Sequence, residues 1–496
     1  MIRVARQLGL FLLYGTLGAV LAVLVGALFY LESREDLDIW HRADLPSEYR
    51  ADDEVATFQE YLALEERLFA ELAAEVSDQL PPSPANIINR YARDSISSPE
   101  RWARDWNRSY ELKTPEPVAG VLMLHGMSDS PYSLRALAER LHAQGLYVVG
   151  LRYPGHGTAP ASLTRTTWED MYGAVALAAR HLEAVLGAAK PLYVFGYSTG
   201  GPLAVELSLR ALAEESVPLP DGLVLFSPAM GITSLAALTP WQARLGRILG
   251  LEKVGWNSIE LEYDPFKYRS FPLNAAVQVW RLANHVDAGL AAAEAAGGLA
   301  ALPPVLSFQS VVDTTIAVPA VVDVLYERLP RRKEGPDHTL VVYDFNRSTE
   351  IEPLLTRDPR QALDTLLADE TRGYEFTVVS NTAEDSRAVY ATTGAGPGRS
   401  GRTCVLNELW APRVYSLSHI APTFPPDDPL YGGLADEDED RIQLGNVVLR
   451  GEGGALRVSA AGFLRQTFNP FFDYQLGEIG RFMNLAFAPS CSLPAD

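Results

Sequence analysis

The sequence predicts an α/β fold, a mostly parallel central sheet flanked by helices, with a helical cap insertion and an extra insertion before the last core strand. Three observations predict it. From residue 118 onward, short apolar runs alternate with amphipathic stretches, the texture of strand–helix units feeding a parallel sheet. A strand-like run at 192–195 passes directly into Gly196-Tyr197-Ser198-Thr199-Gly200 and then into a helical stretch. The rhythm is broken twice, over 228–302 and over 331–410.

Taken in order, the chain begins with Arg3 and Arg6 and then runs from 8 to 31 without a charged side chain. At 1.5 Å per residue that run is long enough to cross roughly 30 Å of hydrocarbon. Glu32, Glu35, Asp36 and Asp38 crowd its far end, so the positive-inside rule puts 1–7 in the cytoplasm and exports the remainder, to the periplasm in a Gram-negative bacterium. The expectation is a signal anchor over 8–31. The alternative, a cleaved signal peptide, has an apolar core of only roughly 7 to 15 residues and an Ala-x-Ala site, and no convincing site follows here. Residues 32–117 read as a juxtamembrane helical segment and linker, with packing of its helix against the main domain favoured over a partner-binding role. Val55, Phe58, Tyr61, Leu62, Leu64, Leu68 and Leu72 mark a helix within 54–79, closed by Pro81-Pro82-Ser83-Pro84.

The main domain is expected over 118–496, with strands at 118–124, 147–152, 192–195, 223–226 and 305–308 and helices at 131–142, 168–186 and 201–212. The cap, 228–302, shows helical stretches and no clear strand; Leu235, Leu238, Trp241, Leu245 and Leu249 give it an apolar face. The insertion, 331–410, mixes strand-like segments (340–343, 374–379, 388–391) with a helix at 360–368 and a Gly-rich loop at 394–401. The acidic run 436–440 reads as a solvated loop. Beyond it, 446–450 and 455–458 read as extra strands and 472–485 as the final helix.

A net charge of -20 argues against a nucleic-acid partner, because phosphate backbones are gripped by clustered Lys and Arg. Cys404 and Cys491 are the only cysteines, too few for a thiolate zinc site. The sequence leaves open whether they form one disulfide or two thiols.

Ser198 carries the chemistry. A serine between glycines at a strand-to-helix turn is lifted clear of the sheet toward the positive end of the following helix. Its hydroxyl needs a general base, and the base needs an acid to hold its tautomer. The chain order Ser, then Asp or Glu, then His selects Asp313, just past the strand at 305–308, and His419. His285 precedes Asp313 and His338 sits in a polar turn, so both read as structural. The backbone N–H groups of Met127 and Thr199 are the expected oxyanion donors. His125 and His156 read as loop-shaping residues.

Leu124-His125-Gly126, Pro154-Gly155-His156-Gly157 and Gly196-Tyr197-Ser198-Thr199-Gly200 together resemble the α/β-hydrolase superfamily, in its monoacylglycerol-lipase and serine-aminopeptidase branch. The resemblance covers about 118–319 and resumes near 413–422. It implies a Ser198-Asp313-His419 triad under a helical cap. The gap from Asp313 to His419 is longer than in that branch, which implies an insertion between the last two sheet strands.

The expected activity is therefore serine-dependent carboxylic-ester hydrolysis through an acyl-enzyme, with no metal or cofactor, on a small-molecule or lipid ester of acylglycerol type. The same triad would serve a peptidase or amidase. A non-catalytic membrane-tethered scaffold is the reading from a different class, and the Ser, Asp and His together weigh against it.

Overall fold

A computed structural model of the chain describes residues 2–187, 189–231, 252–313, 315–348, 360–395, 401–411, 414–434, 440–445, 465–488 and 491–492. Among these, fifteen strands are found: β1 (Tyr110–Leu112), β2 (Gly120–Leu124), β3 (Tyr147–Leu151), β4 (Leu192–Tyr197), β5 (Gly222–Phe226), β6 (Trp256–Ser258), β7 (Phe271–Pro272), β8 (Val305–Ser310), β9 (Thr339–Tyr343), β10 (Glu375–Asn381), β11 (Ala388–Thr393), β12 (Arg402–Leu409), β13 (Ser416–Leu417), β14 (Arg465–Gln466) and β15 (Cys491–Ser492). Eleven of them form one sheet in the order β1-β3-β2-β4-β5-β8-β9-β10-β11-β12-β15. From β3 to β10 every neighbouring pair is parallel. The edges, β1 on one side and β11, β12 and β15 on the other, are antiparallel.

The central strands β2, β3, β5 and β9 are buried along their whole length, which is why they are nearly continuously apolar, whereas the outer strand β11 alternates. Along β2, Leu122 and Leu124 join one core while Val121 and Met123 join the other. Helices α4 (Trp168–Leu186), α5 (Gly200–Ala213) and α6 (Leu273–Ala295) cover the first face. Helices α3 (Arg135–His142) and α8 (Phe472–Met483) cover the second.

Three expectations are corrected. Residues 32–117 are no linker: α2 (Phe58–Glu75) packs Phe58 and Tyr61 into the first core, and Tyr110 to Leu112 form the edge strand β1. A buried Arg152, bonded to Glu65 at 3.0 Å and Glu48 at 3.1 Å, locks that segment to the end of β3. The range 228–302 is not all cap. Its final stretch is α6, whose Leu282, Val286 and Leu290 are core residues, and it contains the small hairpin β6–β7 where no strand was expected. The apolar positions Leu235 to Leu249 lie outside the described residues.

Third, 331–410 is not wholly an insertion, because β9 is a core strand paired parallel to β8. The departure begins after Asn346, and the chain returns to the same place: Asn346 N–H donates to Tyr415 C=O at 2.7 Å and its side-chain amide to Val414 C=O at 2.8 Å. Between these points lie the helix α7 (Arg360–Ala368) and the strands β10, β11 and β12, which extend the sheet. Cys404 and Cys491 are joined as a disulfide between β12 and β15. Expected strands 446–450 and 455–458 lie outside the described residues, as does 436–439 of the acidic run.

Helix α1 (Ile2–Glu32) occupies the charge-free run, and Phe11, Leu12, Leu17, Leu21, Phe29 and Tyr30 are exposed on it. Counted over the described residues, no helix is long and apolar enough to cross a membrane. Side chains at 8, 20, 23, 24, 27 and 28 fall outside those residues, and the span expected over 8–31 rests on the sequence alone.

Candidate active site

Ser198 stands between the end of β4 and the start of α5 with φ 51°, in the left-handed region that side chains rarely adopt. The surrounding structure holds it there: Ser198 N–H donates to Phe226 C=O at 2.9 Å, and its C=O accepts from Gly201 at 3.0 Å and Ala229 at 2.9 Å. The glycines follow from crowding. A Cβ at Gly200 would collide with the Leu124 carbonyl, and one at Gly126 would stand 2.9 Å from both the Asp129 carboxylate and the Tyr197 ring.

The three expected triad residues meet. His419 Nε2 lies 3.0 Å from Ser198 Oγ, and His419 Nδ1 lies 2.6 Å from Asp313 Oδ2. Asp313 has its other oxygen occupied by the N–H groups of Thr315 at 2.8 Å and Ile316 at 3.0 Å, which fixes the carboxylate plane against the imidazole. Ser310 Oγ, at the end of β8, donates to Leu417 C=O at 3.1 Å and so ties the Asp313 strand to the turn that carries His419. His419 follows β13, which pairs with β14 in a separate small sheet rather than serving as a core strand. The long interval from Asp313 to His419 is thus bridged by the closed root of the insertion at Asn346 and Tyr415.

Among the described residues, the N–H groups of Met127 and Thr199 have no protein acceptor, and both residues are buried beside Ser198. His125 is fully buried, with Nδ1 2.8 Å from Gly126 C=O and Nε2 accepting from Tyr153 N–H at 3.3 Å. Burial holds its pKa well below the ordinary value, so it is a neutral strut for the 125–129 loop. His156, its Nδ1 3.0 Å from Pro154 C=O, is pushed down by burial to about 3. His285 contacts Glu206 and Trp168, and His338 accepts from Val305 N–H. None of the four approaches Ser198 as a base.

Sequence reading missed Asp129 and Lys267. Asp129 sits on the oxyanion loop, buried, and Lys267 from the β6–β7 connection reaches it at 3.1 Å. Burial raises the Asp129 carboxyl, against the pull of that ammonium. Next to it, Ser128 has φ 64° and its C=O accepts from Tyr268 N–H at 2.8 Å. Only the Asp129 position, just past His125-Gly126-Met127-Ser128, carried a local signal; its partner lies 138 residues on. Among the described residues no group of His, Cys, Asp and Glu is arranged to hold a metal ion.

A mostly parallel sheet with the Ser198 turn after β4, Asp313 after β8 and the His419 loop beyond is the α/β-hydrolase fold. Within that class, residues 115–293 match the family model for serine aminopeptidase, S33. The match includes Ser198 and the oxyanion loop and stops short of Asp313 and His419. A thermostable monoacylglycerol lipase of Bacillus sp. (strain H-257) is 29% identical over 171 residues, which are 34% of this chain and 64% of that lipase. The chain thus spans less than two thirds of that relative's length. Among solved structures, the monoacylglycerol lipase of Paleococcus ferrophilus superposes with a TM-score of 0.35 at 20% identity, over 48% of this chain and 87% of its own. The ferulic-acid-bound Est1E of Butyrivibrio proteoclasticus superposes with a TM-score of 0.31 at 20% identity, over 48% of this chain and 85% of its own.

Proposed function

We propose that the chain is a serine-dependent carboxylic-ester hydrolase acting on acylglycerol-like lipid esters, held to a membrane by α1 with its catalytic domain on the extracytoplasmic side. The observation that carries the reading is the relay from Ser198 Oγ to His419 Nε2 at 3.0 Å and from His419 Nδ1 to Asp313 at 2.6 Å. His419 takes the Ser198 proton as Oγ attacks the ester carbonyl, and Asp313 stabilises the imidazolium. The oxyanion forms against the N–H groups of Met127 and Thr199, fixed donors that need no reorganisation. Collapse expels the alcohol with the proton from His419 and leaves an acyl-Ser198. His419 then takes a proton from water, which attacks the acyl carbonyl, and the acid leaves as Oγ recovers its proton.

The acylglycerol substrate is supported by the likeness to the Bacillus lipase. The membrane placement is supported by the charge-free run 8–31 with Arg3 and Arg6 before it. Export is supported by the Cys404–Cys491 disulfide, since such bonds persist in oxidising compartments. The description of the matched family favours a second reading, a serine aminopeptidase, which would use the same relay on an amide.

Fluorophosphonate labelling of the full chain in detergent tests the nucleophile, with Ser198→Ala and His419→Ala alongside. Labelling lost in both variants, together with turnover that rises along a p-nitrophenyl ester series toward medium acyl chains, is the expected result. Turnover of aminoacyl p-nitroanilides in preference to esters would select the peptidase, and an unlabelled, folded wild type would leave the scaffold reading.

A further inference from the structure

Helix α1 ends in contacts that a slack tether would not make. The last carbonyls of a helix have no intrahelical donors, and here a distant lysine supplies one. Lys253 Nζ reaches the C=O of Leu31 at 3.4 Å, the C=O of Arg34 at 3.0 Å and the Asp36 carboxylate at 2.8 Å. In return the Arg34 guanidinium donates to the C=O groups of Lys253 and Trp256 at 2.8 Å each and of Asn257 at 3.2 Å. Behind this clasp Leu37 is buried with Trp256 and Ile259, and His41 is bonded to Ser270 at 2.9 Å.

The stretch that receives α1 also holds the oxyanion loop. Lys267 and Tyr268, at its far end, bind Asp129 and the Ser128 carbonyl. Between the two attachments Leu261 is 42% exposed, and Ile87, three residues before Arg90, whose N–H donates to Glu262 C=O, is 60% exposed. Leu261 is four residues from Asn257, so it lies within about 14 Å of the carbonyl that the Arg34 guanidinium grips.

The distances leave little freedom. Arg34 is two residues beyond the end of α1, at most about 7 Å of chain, while the head-group layer on each side of the hydrocarbon is roughly 6 Å deep. We infer that α1 is a rigid mount rather than a tether: the 252–272 stretch lies against the head-group layer at the foot of α1, and the site takes an ester carried in that same bilayer, a lipid whose ester carbonyl lies at head-group depth. This rests on the reading of α1 as a membrane anchor and of Ser198 as a nucleophile.

The test uses the full chain in phosphatidylcholine vesicles containing a monoacylglycerol, with p-nitrophenyl acetate in the surrounding water as the second substrate. The double variant Arg34→Met/Lys253→Met, and separately the exposed-site variant Leu261→Glu, should lower turnover of the vesicle-borne ester by roughly tenfold as the effective concentration of substrate falls. Turnover of p-nitrophenyl acetate should stay within about twofold. Equal losses on both substrates would reduce the clasp to a fold contact, and undiminished turnover of the vesicle-borne ester would mean a slack tether; either overturns the inference. A wild type that hydrolyses p-nitrophenyl acetate but does not float with vesicles removes the anchor. One that floats but hydrolyses neither ester removes the nucleophile. Both outcomes overturn the inference and differ in which premise fell.

Discussion

In the proposed mechanism Asp313 and Lys267 act without touching the substrate carbonyl, and their replacements separate two kinds of support. In Asp313→Asn the side chain keeps its size, but an amide nitrogen facing His419 Nδ1 would force the imidazole into the tautomer that cannot accept the Ser198 proton. The expected loss in kcat is on the order of 10³- to 10⁴-fold with the fold intact, measured as ester turnover beside an unchanged circular-dichroism melt. Lys267→Met leaves the buried Asp129 carboxylate beside the oxyanion donors without its ammonium. A nearby negative charge opposes the developing oxyanion, so Asp129 will take up a proton or depress catalysis. Turnover in this variant should fall at high pH and recover as the pH drops and Asp129 protonates; a flat pH profile relative to wild type would show that the pair is merely structural. That Ser198, Asp313 and His419 come together was legible in the sequence, because chain order and strand ends constrain them locally. Lys267 was not, because its only qualification is a contact with a loop far away in sequence.

At the scale of single elements, the short turn 39–42 carries a titration of its own. His41 accepts Asp38 N–H at Nδ1, 2.9 Å, and donates from Nε2 to Ser270; burial lowers its pKa from 6.5 to about 4. The unfolded chain binds a proton near pH 6.5 that the folded chain refuses until about pH 4, so stability falls as pH drops through that window, by about 3 kcal/mol for this one group. His41→Asn does not titrate, and urea melts at pH 7 and pH 4 should show a smaller acid-induced loss in the variant than in the wild type. The edge of the sheet offers a second element with a separable role. The Cys404–Cys491 bond joins β12 to β15, on the sheet extension rather than at the triad, so its reduction should cost about 2–4 kcal/mol of stability while turnover of a short ester at 25 °C is unchanged, read by melts and assays with and without dithiothreitol. These elements also mark where sequence reading stopped. The nucleophile turn was readable because strand, glycines and helix are contiguous. The bounds of the insertion were not, since they are set by the meeting of Asn346 with Tyr415, and β9 reads like any other apolar run until its pairing with β8 is known.

On the scale of the whole molecule, the helix before residue 118 was readable but the extent to which its flanks join the body was not, for a physical reason: their burial is decided by Arg152, just past the end of β3. Glu48 and Glu65 neutralise that guanidinium, and the Tyr61 hydroxyl donates to the Arg152 carbonyl at 2.7 Å. Taken alone, an Ala- and Glu-rich helix followed by prolines carries no sign of such a partner. Breaking a buried ion pair from one side strands the opposite charges, so Arg152→Met should cost about 3–5 kcal/mol. The same knot dictates where the chain can be shortened. Leu37, Trp40, His41 and Tyr49 are buried, so the folded body begins just after α1. A chain begun at Ser33 should fold, remain in solution without detergent and hydrolyse p-nitrophenyl acetate like the full chain. One begun at Asp52 loses those four buried side chains and Glu48 as well, leaving Arg152 with half its counter-charge, and should be recovered unfolded or aggregated. If instead the shorter chain melted cooperatively and hydrolysed the ester at the same rate, the segment before residue 52 would be a tether after all, and the rigid attachment of α1 to the catalytic body would lose its basis.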